Sequence, residues 1–245
     1  MKKLKLFSAG ALALAMFFSS CGGGDEKKET ATTDSTSTAP KMDSTAATSD
    51  VVTTPQSIVI IWQKVADFSK WKPIYDGHDT ARVSHGLHNY VIGRDVNDSN
   101  TVLVALKADD MVKAKEFAKD PGLKAAMQKG GVMGAPTIMF STVVYTDNAI
   151  NMSDMRSMSN FTVKDWDAWK KSFESHRQTR IDNGLTDRAY GYDADDNHKV
   201  TLVVGINDTA KANAFWKSDL LKQQRAEGGV VGEVKRHVYR VVQKY

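Results

Sequence analysis

The sequence predicts an α+β chain in which two tandem βαββαβ units pack sheet against sheet. Three observations carry this expectation. From residue 57 onward the chain repeats itself at a fixed offset; each copy alternates β-branched apolar runs with helical patterns in the order strand, helix, two strands, helix, strand; and each copy leaves one sheet face in need of cover.

The offset is 98 residues, read by laying Val65-Ala66-Asp67-Phe68-Ser69-Lys70-Trp71-Lys72 over Val163-Lys164-Asp165-Trp166-Asp167-Ala168-Trp169-Lys170. The same offset pairs His78 with His176, Arg82 with Arg180, Gly86-Leu87 with Gly184-Leu185, Asp95 with Asp193, Asp98 with Asp196 and Phe117 with Phe215. It also pairs Gly130-Gly131-Val132-Met133-Gly134 with Gly228-Gly229-Val230-Val231-Gly232. Tryptophans, histidines and glycines do not stay in register by chance, so the sequence reads as a tandem duplication with repeats over 56–148 and 152–245.

Within each copy the first strand is Ser57 to Gln63, apolar and β-branched, or its more polar counterpart Met155 to Val163. A first helix starts at Asp67 or Asp165, residues suited to an N-cap, and stops at Gly86 or Gly184. Strands near Asn89 to Arg94 and Thr101 to Lys107 flank Asp95-Val96-Asn97-Asp98-Ser99-Asn100, a hairpin turn by composition. A second helix opens at Asp109 or Asp208 and ends at the Gly-Gly pair, with Pro121 expected to interrupt the first copy while Asp219 leaves the second less constrained. The last strands are Thr137 to Tyr145 and Val234 to Val242. This order is the ferredoxin-like plan, and helices on one face leave the other for the second copy to cover.

Ahead of the repeats, residues 1–20 read as a secretory signal, with basic Lys2, Lys3 and Lys5, an apolar run from Leu6 to Phe18, then Ser19 and Ser20. An apolar run of roughly 13 residues is too short to span a bilayer, which takes about 20. Cys21 is the single cysteine, so no disulfide forms within one chain, and Phe18-Ser19-Ser20-Cys21 resembles the lipobox of bacterial lipoproteins, with phenylalanine where leucine is usual. The resemblance implies that Cys21 is acylated and becomes the N-terminus, anchoring the chain to a membrane. Gly22 rather than an aspartate after the cysteine implies the outer membrane, on either its periplasmic or its surface face.

Residues 21–55 are Thr, Ser, Ala, Asp and Lys with almost nothing large and apolar, a lipidated disordered tether by composition. About 34 such residues have an r.m.s. reach near 30 Å. Asp34-Ser35-Thr36 and Asp43-Ser44-Thr45 resemble the O-glycosylation sequon of Bacteroidota, beside the plainer reading of a solvated linker. Removing the signal takes three lysines and no acid, leaving 30 basic against 29 acidic residues from the 33 and 29 of the whole chain. A near-neutral balance without a basic stripe argues against nucleic acid as a partner.

Val-x-Asp-Phe-x-x-Trp-Lys, then His78 and Arg82, Gly86-Leu87, Arg94-Asp95-x-x-Asp98-x-Asn100 and Gly130-Gly131-Val132-x-Gly134 together resemble the dimeric α+β barrel superfamily, within it the antibiotic-biosynthesis-monooxygenase-like or cyclase-like proteins. The resemblance covers both copies. It implies a barrel formed elsewhere between two subunits and here between two halves, hence a monomer with an internal pseudo-twofold axis. It implies little about function, because the superfamily includes cofactor-free oxygenases, heme-degrading enzymes, isomerases and members without assigned activity. Relatives carry a histidine two residues before Val-x-Asp, where this chain has Gln63 and Phe161, and the heme branch's Asn, Trp and His set has no clear counterpart. No cofactor is therefore expected.

Trp71, Tyr75, His78 and Arg82 are spaced four, three and four, within about 60° of one another on a helix, and Trp169, Phe173, His176 and Arg180 repeat the arrangement. One reading makes the His-Arg pairs structural partners of the hairpin acids Asp95 or Asp98. The other places them at the mouth of a pocket between helix and sheet, where arginine holds an anionic or carbonyl oxygen and histidine transfers a proton. His78, His85 and His88 read poorly as a metal site, because the second copy keeps only His176, with Asn183 and Thr186 at the other places. No phosphate loop, nucleophile elbow or paired-carboxylate motif appears. Three function classes remain: an envelope lipoprotein that binds a small apolar or aromatic molecule, an enzyme of the cofactor-free monooxygenase or isomerase type, and a structural or interaction module.

Overall fold

In the computed structural model the described residues are 50–149 and 153–245. The signal segment, Cys21 and residues 21–49 of the expected tether lie outside the described residues. The tether expected to run to 55 instead has Val51 and Val52 in a strand paired with Asp147 and Thr146, so its last residues are ordered against the fold. After a two-residue strand β1 (Val51–Val52), the first unit runs β2 (Gln56–Val65), α1 (Phe68–Gly77), α2 (Asp79–Ser84), β3 (Leu87–Asp95), β4 (Thr101–Ala108), α3 (Met111–Phe117), α4 (Pro121–Lys129) and β5 (Val132–Asp147). The second unit repeats the order as β6 (Met155–Val163), α5 (Trp166–Ser175), α6 (Arg177–Asp182), β7 (Leu185–Asp193), β8 (Asp196–Ile206), α7 (Thr209–Trp216), α8 (Asp219–Glu227) and β9 (Val230–Lys244).

The strands pair in the orders β5-β2-β4-β3 and β9-β6-β8-β7, all antiparallel. Two further antiparallel pairings, β3 with β9 and β5 with β7, join the units edge to edge and close eight strands into a barrel. The fold is thus two ferredoxin-like units forming a dimeric α+β barrel within one chain. Closure removes the four unpaired strand edges that two separate sheets would expose.

The strands are apolar on both faces because both are covered. Ile58, Ile60, Trp62, Leu103, Ala105 and Val143 of the first unit meet Met158 and Tyr239 of the second inside the barrel. The alternate residues Val59, Val102, Val104 and Leu106 face outward beneath Trp71 and Phe117 of the helices. The Gly-Gly pair after α4 or α8 lets the chain pass close over the helix-one tryptophan. A Cβ on Gly130 or Gly228 would sit 3.2 Å from Cδ1 of Trp71 or Trp169, and Gly131 and Gly229 hold φ of +73° and +66°. At the β5–β7 seam a Cβ on Gly191 would lie 2.1 Å from the Thr142 carbonyl oxygen, so the two units could not approach to bonding distance with any other residue there.

Asp67, Asp165 and Asp208 cap their helices as the sequence predicts; in the first unit the second helix is capped by Asp110, not Asp109, which keeps the 98-residue offset with Asp208. Each predicted helix is in fact two. The second helix breaks in both units, not only at Pro121. Ser218 accepts from the Leu221 amide just as Asp120 accepts from Leu123, so a capping side chain starts a new helix without need of proline. The first helix breaks at His78 and His176, with φ of −95° and −96°. There Arg82 Nη1 donates to the Tyr75 carbonyl at 2.8 Å and Arg180 Nη1 to the Phe173 carbonyl at 2.6 Å, beside the weaker His78 and His176 amides at 3.3 and 3.2 Å, so a guanidinium takes the place of the amide four residues on and stabilises the kink. Among the described residues no helix is long and apolar enough to cross a membrane.

Candidate functional site

The kinked first helices bring each predicted quartet over the outer face of its own sheet. In the first unit Trp71, Tyr75, His78 and Arg82 line a cavity of about 60 Å³ with Gln63, Val104 and Leu106 of the sheet, Phe117 of α3, and Leu123 and Met127 of α4. Trp71 stacks on Tyr75 at 4.8 Å, and the Arg82 guanidinium lies 3.9 Å over the Tyr75 ring. In the second unit Trp169, Phe173, His176 and Arg180 line a cavity of about 80 Å³, with Trp169 stacked on Phe173 at 5.0 Å and Arg180 3.5 Å over that ring.

The hairpin acids are not partners of either arginine. Asp95 accepts the amides of Asn97 and Asp98 within its own turn, and Asp98 is held by Lys64 at 3.0 Å, which pulls its carboxyl below the usual range. The turn satisfies its own acids, and the helix kink points the guanidinium back along the helix instead. Arg180 forms a two-pronged ion pair with Asp187 of β7, both contacts 2.7 Å, with side chains 7% and 5% exposed. The position 98 residues before Asp187 is Asn89, so the first unit has no acid there. Its acid is Asp79, where the second unit has Arg177; Asp79 binds Arg82 Nη2 at 3.1 Å and the Asn89 amide at 2.6 Å. The Tyr75 hydroxyl closes this network by donating to Asn89 Oδ1 at 2.5 Å, and burial pushes that phenol above its ordinary pKa.

The rewiring leaves the two pockets chemically unequal. Six buried side-chain polar atoms lack a hydrogen-bond partner among the described residues, and three of them belong to side chains that line the first-unit pocket: Gln63 Oε1, His78 Nδ1 and Arg82 Nε. None lines the second. There the equivalent of Gln63 is Phe161, which has nothing to satisfy, His176 Nε2 faces Glu227 at 3.5 Å, and Arg180 Nε is taken by Asp187. A buried unpaired polar group costs about 1–3 kcal/mol, so three around one cavity mark a place where stability is given up. Gln63 is the residue that sequence reasoning did not place in the site, although a glutamine in an otherwise apolar strand, opposite phenylalanine in the other copy, was the signal.

The other histidines do not converge. His85 Nδ1 contacts the Ala81 carbonyl at 2.8 Å and its ring packs on Phe117, while His88 Nε2 meets Asp109 at 2.9 Å on the surface. Among the described residues no group of three or more His, Cys, Asp or Glu side chains has the arrangement of a metal site.

An α+β barrel of two ferredoxin-like units is the class that this architecture defines. A candidate monooxygenase of Fusobacterium nucleatum shares it with a TM-score of 0.52 at 14% identity, over 77% of this chain and 93% of that one. An anthrone oxidase-like protein shares it with a TM-score of 0.54 at 13% identity, over 80% and 95%. Both matches are longer than one unit, so the likeness spans both halves, and at such identity it is a likeness of fold. No protein-family model matches the chain, and no curated protein sequence does.

Proposed function

We propose that the protein binds a small apolar or aromatic molecule in the first-unit pocket, with the second unit serving as its structural counterpart. The observation that carries this reading is that three unpartnered atoms belong to side chains lining one apolar cavity, while in the other half Arg180 Nε is paired with Asp187 and Phe161 stands in place of Gln63. Arg82 Nε supplies a donor, Gln63 Oε1 an acceptor, and His78 Nδ1 whichever role the tautomer gives. A ligand with a hydroxyl group on a hydrophobic body matches that set, its oxygen accepting from Arg82 Nε and its O–H donating to Gln63 Oε1.

The cavity of about 60 Å³ is far below the roughly 300–1,000 Å³ common for ligand pockets, so on this reading binding involves movement of α4. That helix is suited to moving. It buries no residue fully, and its Leu123 and Met127 separate the cavity from an outer groove of about 470 Å³ that they also line. Swinging them aside joins the two spaces. Native mass spectrometry of protein purified from its own host is expected to show a retained small molecule; a preparation with none under gentle desolvation counts against the reading.

The alternative is catalysis of the cofactor-free monooxygenase or isomerase type. His78 Nδ1, free in an apolar enclosure beside a fixed guanidinium, is placed to take a proton from a bound acidic O–H or C–H while Arg82 holds the resulting negative oxygen. The names of the two fold neighbours favour this reading. It is tested by whether the retained molecule changes mass on exposure to air with wild-type protein and not with His78→Ala.

We place the binding unit on a membrane through acylated Cys21, most consistently the outer membrane, as a monomer. The lipobox-like sequence supports this placement. Cys21→Ala should shift the protein from the membrane to the soluble or unprocessed fraction. Retention of that variant on membranes after an alkaline wash contradicts the assignment.

A further inference from the structure

We propose that the barrel interior is a second ligand site, built by both units, for a small organic oxyanion with an apolar or aromatic body. The interior holds a cavity of about 390 Å³, within the 300–1,000 Å³ common for ligand pockets. Its floor is Ile58, Ile60, Leu103 and Val143 from the first unit with Met158 and Val203 from the second. Further along the barrel Trp62 closes the interior by packing on His237 at 4.9 Å and edge-on to Tyr239 at 5.7 Å.

The polar end of the cavity is strongly cationic. Lys107, Arg156, Arg188 and Lys244 line it against a single acidic side chain, Asp147. Arg156 and Arg188 are 5% and 8% exposed. Asp147 sits 3.6 Å from Arg188 and also accepts the Ala149 amide. Arg156 has no ion-pair partner among the described residues; its Nη1 donates to the carbonyls of Ser153 and Met155, which fix the guanidinium without neutralising it. Burial, and then Arg188, lower the affinity of Arg156 for its own proton, and burial with both arginines does the same to Lys244. The two buried guanidiniums repel one another and the exposed Lys244 ammonium beside them, and an anion seated among them relieves that repulsion.

The other half is an internal control for what the fold itself requires. Arg156 pairs with Gly205 and Tyr239 where Ile58 pairs with Lys107 and Ser141, so Ile58 is its counterpart at the same 98-residue offset. Arg188 is the bulged residue skipped between Asp187 and Ala189, and Tyr90 is the bulged residue skipped between Asn89 and Val91. Both bulges turn a side chain into the cavity, one a phenol and one a guanidinium. Lys244 corresponds to Thr146. All three cations of the second unit thus face neutral residues in the first, so barrel closure does not need them. Arginine forks suit carboxylate, sulfonate or phosphate heads, and the apolar floor suits the body of the molecule.

The test is titration calorimetry of the full chain with 2-naphthoate, 2-naphthalenesulfonate and the neutral 2-naphthamide. At least one anion should bind tenfold or more tightly than the amide, and Arg156→Met should weaken that anion at least tenfold while leaving the amide unchanged. Lys244→Met, at a strand end, gives the same reading with several-fold loss if Arg156→Met folds poorly. The relative strength of the carboxylate and the sulfonate tells which head the site prefers. Equal affinity for anions and amide, anion affinity indifferent to both variants, or no binding of any of the three up to about 1 mM overturns the proposal.

Discussion

Arg180→Ala should destabilise the protein by about 3–5 kcal/mol, and Arg82→Ala by clearly less, although the two arginines are equivalent by sequence. The first substitution leaves Asp187, 5% exposed, as an uncompensated charge in the second unit. The second leaves Asp79, 49% exposed, which water and the Asn89 amide still solvate. Lost packing on Tyr75 and the lost bond to the Tyr75 carbonyl, which keeps only the His78 amide at 3.3 Å, remain as costs in the first unit. Denaturant unfolding of both variants measures this directly. The sequence alone predicts equal costs through the hairpin acids; equal costs would mean that the ion-pair rewiring described above is not present in solution.

Separating the units should have a still larger effect. A fragment of residues 50–149 is expected to self-associate or unfold, because it exposes the inner face carrying Ile58, Ile60, Trp62, Leu103, Ala105 and Val143 and two strand edges, β3 and β5, that the second unit pairs. Fully burying one such side chain stabilises by about 1.5–3 kcal/mol, and a unit of this size cannot spare six. Sedimentation of the fragment gives the answer, and a well-folded monomer would contradict the barrel as the unit of stability.

The fold was legible because its signals are local or repeated. The caps Asp67, Asp165 and Asp208, the Gly-Gly turns and the β-branched runs each follow from chemistry at one position, and the fixed offset doubles every signal. The kink at His78 was not legible, since it depends on a guanidinium seven residues from the carbonyl it captures. The inequality of the pockets was readable in principle: Asp79 and Asn89 in one copy against Arg177 and Asp187 in the other is a charge that has moved from helix to strand. It needs the contact between those positions to be seen as compensation. The polarity that made Met155–Val163 look unlike a buried strand has its own explanation, because Arg156 points into a cavity where its counterpart Ile58 fills the core.

The measurement that bears most directly on the account is native mass spectrometry of host-purified protein with His78→Ala and His176→Ala side by side. His78 Nδ1 is unpartnered at the first-unit cavity, and His176 meets Glu227 at the second. The expected result is that the retained molecule is lost from His78→Ala and kept by His176→Ala, with similar melting temperatures. Equal retention by both variants, or equal loss, would contradict the assignment of the binding site to the first unit.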